Sequence, residues 1–157
     1  MISTKGRYAL RLLLDLASQD SEEYIPLRTI AQRQNISEKY LQIVIREMVQ
    51  AKLIKGISGK KGGYRLTRKP SEYTVGEILY LEETSISPVS CLLPDAEPCD
   101  RSSTCLTLPM WEKYDRLTKD FFYGITIQDL LDGKRIAGNE APLQLQGKPG
   151  ELLQHLG

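Results

Sequence analysis

With 157 residues, 41% of them apolar and 26% charged, the chain has room for one domain or a small domain with an appendage, and the composition of an ordinary soluble globular protein. No apolar run approaches the length of a membrane span, and Met1 to Lys5 leads into no signal-peptide core, so the cytoplasm is expected and a membrane partner is not. The formal net charge of +1 conceals an asymmetry: residues 1–74 hold 14 Lys and Arg against 7 Asp and Glu, whereas residues 75–157 hold 7 against 13. A basic front half is an electrostatic footprint for a polyanion, and the acidic back half should stay off it.

Residues 4–18, TKGRYALRLLLDLAS, return Tyr8, Ala9, Leu12, Leu13 and Leu16 at helical spacing, and Arg11 and Asp15 stand at i, i+4 as a charge pair. Lys5 and Arg7 lie near the helix start, where a nearby phosphate would relieve their conflict with the helix dipole. A second, short helix fits Leu27 to Gln34 with Leu27, Ile30 and Ala31 inward. Asn35 marks a turn, Ile36 plugs it, and Ser37 caps a third helix that runs to about Gln50 on the stripe Leu41, Val44, Ile45 and Met48. Helix, tight turn, helix is the helix-turn-helix pattern, whose second helix presents its N-terminal residues to base edges in the major groove. Here those are Ser37, Glu38, Lys39, Tyr40 and Gln42, and Arg28 on the preceding helix joins the candidate DNA contacts.

Leu53-Ile54-Lys55 and Tyr64-Arg65-Leu66-Thr67 read as paired strands. GISGKKGG between them supplies four glycines for turn positions with positive φ and two lysines, Lys60 and Lys61, at the tip. A cationic hairpin beside a recognition helix is a wing that can reach the DNA backbone or a minor groove. Its spacing is not that of a phosphate-binding P-loop. After Lys69-Pro70-Ser71, the match Thr74-Val75-Gly76-Glu77 is a capping box that opens a helix to about Glu83, with Val75, Ile78 and Leu79 inward.

The loop that follows contains all three cysteines, Cys91, Cys99 and Cys105, and Pro88, Pro94 and Pro98 forbid long regular structure in it. An odd number of clustered cysteines in a cytosolic chain disfavours a closed disulfide framework and favours metal binding or redox chemistry. Three thiolates leave one position of an iron–sulfur cluster to another donor, for which Glu82, Glu83, Asp95, Glu97, Asp100 and the sole histidine, His155, are candidates. Zinc on three cysteines and one other ligand is the alternative, although the intervals of seven and five residues are longer than the tight zinc-finger pattern. A catalytic cysteine would need a base, and His155 in the tail is poorly placed for that, so no enzyme is expected.

Beyond the loop, Pro109 can open a long helix whose face carries Trp111, Tyr114, Leu117, Phe121 and Phe122 at spacings of three and four. So small a chain has too few neighbours to cover that face, which implies pairing with a twin and matches two-fold DNA half-sites. Thr126 and Asp129 form a second capping-box match, which starts a short helix ended by Gly133. From Lys134 on, Gly, Pro and Gln dominate, as in a disordered tail. The expected fold is therefore mainly α: a winged helix-turn-helix over residues 1–83, a cysteine loop over 84–106, a long dimerisation helix with a short follower over 107–133, and a tail over 134–157.

STKGRYALRLLLDLA, IAQRQNISEKYLQ, GKKGGYRL, TVGEIL and the three cysteines, in that order over about residues 1–133, resemble the IscR-type winged-helix transcriptional regulators. That group includes iron–sulfur, nitric-oxide and iron regulators and a cysteine-metabolism branch that lacks the cluster. CLTLPMWEKYDRLTKDFFYGITIQDLL most resembles the iron–sulfur-assembly regulator. The resemblance implies a homodimer on promoter DNA, acting as a repressor of iron–sulfur assembly genes. It implies a cluster, [2Fe–2S] ahead of [4Fe–4S], held by Cys91, Cys99 and Cys105, with bases read from the helix at Ser37 and the backbone touched by Lys60 and Lys61. It also marks departures: Leu108 stands where the assembly regulator has a histidine, Arg7 lies nearest to the aspartate used by the nitric-oxide branch, Ser58 replaces a groove-reading wing arginine, and Gln42 replaces a base-reading glutamate. A regulator with a zinc or thiol-redox site, or one acting through a partner protein as the cysteine-metabolism branch does, remains the alternative.

Overall fold

A computed structural model describes residues 2–19, 23–82, 86–93, 95–97 and 99–133. Outside them lie Glu83, where the fourth helix was expected to end, the side chain of Glu82, and the whole tail from residue 134 with His155.

Helix α1 (Thr4–Ser18) begins where Ser3 accepts a hydrogen bond from the Gly6 amide at 3.1 Å. Its inner face, Ala9, Leu12, Leu13 and Leu16, joins Ile30 and Ala31 of α2 (Leu27–Gln34) and Leu41, Val44, Ile45 and Met48 of α3 (Glu38–Gln50) in one apolar core. The expected pair between Arg11 and Asp15 does not form. Asp15, only 5% exposed, takes Arg33 at two points, 3.0 and 2.6 Å, and Gln34 at 2.9 Å. Arg11 reaches the Gln34 amide oxygen and carbonyl instead. Packing α2 on α1 offers Asp15 a planar guanidinium fork, a better partner than an i, i+4 neighbour along its own helix.

Strands β1 (Ile54–Ile57) and β2 (Gly63–Leu66) pair antiparallel, from Ile54 against Leu66 to Ile57 against Gly63. The hairpin begins one residue later, and its return strand one residue earlier, than the sequence pattern indicated. Ile25 extends it, exchanging two backbone bonds of 2.9 Å with Tyr64. Of the wing glycines only Gly59 has a positive φ, 104°. Gly63 is needed for a different reason: a Cβ there would lie 2.4 Å from the Ile25 carbonyl carbon and oxygen.

A short 3-10 turn, Pro70–Glu72, brings Tyr73 into the core, where its ring is fully buried. Helix α4 (Val75–Glu82) buries Val75, Ile78 and Leu79 as expected. Its capping box is only half made. Thr74 accepts from the Glu77 amide at 3.1 Å, but the Glu77 carboxylate is drawn away to Arg68, at 2.8 Å. Two further 3-10 turns, Ser90–Leu92 and Ser102–Thr104, interrupt the loop before α5 (Leu108–Tyr123), which carries Pro109 in its first turn. Helix α6 (Ile127–Leu131) opens on a complete capping box of Thr126 and Asp129, and Gly133 follows it with φ 60°. The Val75 amide donates to Ile125 at 2.8 Å and the Ile127 amide to Tyr73 at 3.0 Å, so the chain leaving α5 is stitched back to the head. Ile127 is fully buried in the main core.

Candidate nucleic-acid interface and cysteine loop

The turn between α2 and α3 is built from backbone chemistry. Asn35 sits in the left-handed region at φ 51°, ψ 48°, and the Ile36 amide reaches back to Ala31 at 3.1 Å. The Ile36 side chain is buried, and the Ser37 hydroxyl accepts from the Tyr40 amide at 3.2 Å, which fixes where α3 begins. Ser37, Glu38, Lys39 and Gln42 then stand exposed together, and Arg28 is exposed on α2. Tyr40 is placed differently. Its half-buried ring meets Tyr8 edge-on, with centroids 5.4 Å apart, so most of its surface serves packing. Exposed Ile43 and Arg46 continue the same ridge, each four residues on, Ile43 from Lys39 and Arg46 from Gln42. The sequence reading missed both, although their helical spacing from Lys39 and Gln42 was available.

The wing presents Ser58, Lys60 and Lys61 to solvent at its tip. Its stem is held by the buried Tyr73 hydroxyl, which donates to the Leu53 carbonyl at 2.7 Å and accepts from the Thr67 and Arg68 amides at 2.9 Å each. Lys5, near the α1 start, is paired with Glu47 of α3, so the cation at that unfavourable end is met by a carboxylate of the protein itself.

The 3-10 turn Ser90–Leu92 contains Cys91, Cys99 follows in the loop, and Cys105 closes the turn Ser102–Thr104. All three are free thiols; Cys91 and Cys99 are exposed and Cys105 is half-buried. Thr107, hydrogen-bonded to the Cys105 sulfur at 3.5 Å, holds that thiol below its ordinary pKa, with backbone bonds from Thr107 and Leu108 acting in the same direction. Ser87 ties the Cys91 turn to α5, bonding both the Leu92 carbonyl at 3.2 Å and Asp115 at 3.1 Å. Asp95, Glu97 and Asp100 are exposed, and Leu108 is the first residue of α5.

In donor chemistry the loop fits an iron–sulfur cluster: three thiols, none in a disulfide, on one solvent-facing segment. It does not gather them. Among the described residues no three His, Cys, Asp or Glu side chains stand close enough to hold a metal ion.

The profile of the Rrf2 family, described as an iron-dependent transcriptional regulator, matches residues 2–133. The chain belongs to the Rrf2 family. Among curated Rrf2-like proteins it is 37% identical to the HTH-type transcriptional regulator CymR of Bacillus subtilis, over 82% of this chain and 88% of that one. It is 33% identical to the HTH-type transcriptional regulator IscR of Aliivibrio salmonicida, over 83% of this chain and 76% of that one. The solved structure of B. subtilis CymR, described as the global cysteine regulator of that organism, superposes with a TM-score of 0.68 at 36% identity, covering 86% of this chain and 98% of its own. T. potens IscR superposes equally well, TM-score 0.68 at 31% identity, covering 90% and 93%. The winged helix-turn-helix read from the sequence is thus the fold of this Rrf2 chain, and its relatives are transcriptional regulators rather than enzymes. Among the described residues no helix is long and apolar enough to cross a membrane.

In this Rrf2 chain α5 keeps an apolar seam in solvent. Met110, Tyr114, Leu117 and Phe121, at spacings of four, three and four, are 54%, 54%, 59% and 48% exposed. Trp111 is half-buried, and Phe122, expected on the same face, turns inward against Val75, Leu79 and Ile125. Met110 takes the place on the seam that the sequence reading gave to Phe122.

Proposed function

We propose that the chain is a homodimeric, cytoplasmic repressor of iron–sulfur cluster assembly genes. The winged helix over residues 1–83 binds operator DNA, the loop over 84–106 holds a [2Fe–2S] cluster through Cys91, Cys99 and Cys105, and residues 107–133 pair two copies. One observation carries this reading above all: three free thiols share an exposed loop joined directly to α5, a helix that leaves an apolar seam in water. Bases are read by Ser37, Glu38, Lys39 and Gln42, with Tyr40 contributing only its exposed edge. Arg28, Ser58, Lys60 and Lys61 touch the backbone or the adjacent groove, and Trp111, Tyr114, Leu117 and Phe121 form the pairing face. Because the thiols stand apart, loading the cluster has to draw the loop together, and Ser87–Asp115 carries that movement to α5. The fourth donor comes from outside the family pattern, since Leu108 has no ligating atom.

A second reading is favoured by the separated thiols and by the similarity to CymR: a regulator that senses through thiol chemistry, zinc or a partner protein, with no cluster. Anaerobic titration of operator DNA with reconstituted and cluster-free protein separates the two. We expect binding that weakens steeply with salt, each phosphate contact adding about 1 to the log–log slope. We further expect affinity or sequence preference to differ between the two forms, and the difference to vanish in Cys91→Ala, Cys99→Ala and Cys105→Ala. Identical binding by both forms would count against cluster sensing and for the second reading.

A further inference from the structure

The exposed side of α3 carries two apolar residues outside the core, Ile43 and Val49. Val49 lies in the last turn, away from the end set against DNA, and Ile43 near the helix start is the one that calls for an account. Leu41, Val44, Ile45 and Met48 fill the core, while Lys39, Gln42, Ile43 and Arg46 form the opposite ridge. Three of those four are polar or charged, as expected of a solvated face. Ile43 is 48% exposed and takes no part in the core cluster or in the apolar shell packed on it. Leaving a β-branched apolar side chain in water gains nothing for the fold.

Its position gives it a use. Ser37 fixes the start of α3, so Ile43 lies in the second turn, within the N-terminal half that a helix-turn-helix sets against base edges. The one apolar group that projects into the major groove is the C5 methyl of thymine; beside it the floor offers hydrogen-bond donors and acceptors and the small C5–H edge of cytosine. Gln42 and Arg46 have the two-point chemistry for adenine and guanine. Ile43 has no donor or acceptor and would leave a polar base edge unsatisfied. Lysine and arginine on the same ridge suit a polyanion rather than an apolar protein partner. We infer that Ile43 is a specificity-determining residue that reads a thymine methyl in each half-site. The inference rests on the DNA-binding function proposed above.

The test uses operator duplexes selected by the full-length protein from a randomised pool. Each thymine is then replaced singly by deoxyuridine, which deletes the methyl and leaves base pairing and every other groove group in place. At one thymine per half-site, the wild type should lose about fourfold in affinity for each methyl removed, the weight of one buried methyl group. Ile43→Ala, folded by circular dichroism because the site is exposed, should be indifferent to the same replacement. Ile43→Gln should also be indifferent, and a fresh selection with it should favour adenine at that position. Equal wild-type affinity for every deoxyuridine duplex, or undiminished methyl sensitivity in both variants, overturns the assignment and leaves DNA binding standing. If no duplex is selected at all, the DNA-binding proposal fails and this inference fails with it.

Discussion

Three backbone groups converge on the hydroxyl of Tyr73, and two of them, the Thr67 and Arg68 amides, belong to the segment leaving the wing. A phenol is suited to this because one oxygen can donate once and accept twice, on a ring that also fills the core. Tyr73→Phe removes the hydroxyl without altering the packed volume; the Leu53 carbonyl and the Thr67 amide keep each other and the Thr67 hydroxyl, but the half-buried Arg68 amide loses its partner. We expect a loss of about 2–3 kcal/mol in urea unfolding, with faster amide exchange at Thr67 and Arg68. Lys52 shows the opposite situation, a side chain in the wrong conformation for its type. It holds φ 58° at the end of α3, where the Lys52 amide bonds Val49 and the Leu53 amide bonds Met48. That is the helix-ending motif in which glycine is usual. Lys52→Gly should stabilise the protein by about 1 kcal/mol, read as a rise in thermal midpoint.

At the scale of elements, the wing depends on contact with a segment far away in sequence. Gly63 passes so close to the Ile25 backbone that Gly63→Ala must push the two apart, at a cost of about 1–3 kcal/mol. Hydrogen exchange at Ile25 and Tyr64 should rise in that variant; unchanged protection would contradict the role given to the glycine. The same distinction separates what the sequence made legible from what it did not. α1, α2, α3 and α6 were readable to their ends, because Asn35, Ser37, Thr126 and Gly133 are local signals for local geometry. Apart from the one-residue offsets and the glycine φ values of the wing, the readings that failed concern partners brought in by tertiary packing. Asp15 preferred Arg33 of α2, Glu77 preferred Arg68, and Phe122 was claimed by Val75 and Leu79. Gly63 was recognised as special, but for its φ rather than for the strand beside it. In the candidate site the cysteines and the exposed start of α3 were legible from residue type and spacing. The distance between the thiols was not, since nothing in CLLPDAEPCDRSSTC fixes how the loop folds.

For the whole molecule, the proposed function joins the charge asymmetry and the α5 seam in one arrangement: basic heads outward on DNA, acidic halves paired by their helices. Leu117 is among the most exposed residues of that seam, so Leu117→Asp should leave the monomer folded while placing a charge in the pairing face. We expect sedimentation to show a dimer for the wild type and a monomer for the variant, with operator affinity lower by about 100-fold or more once the two half-sites are no longer bound together. A wild-type monomer would remove the seam from the account and leave each head to bind alone. The most direct measurement is the iron, acid-labile sulfide and zinc content of full-length protein purified without oxygen, taken with its visible absorbance. Brown protein with equal iron and sulfide, about two of each per chain, is the expected result. Colourless protein that takes up no iron on anaerobic reconstitution, whether it carries zinc or no metal at all, would contradict it and leave a winged-helix regulator that senses by other means.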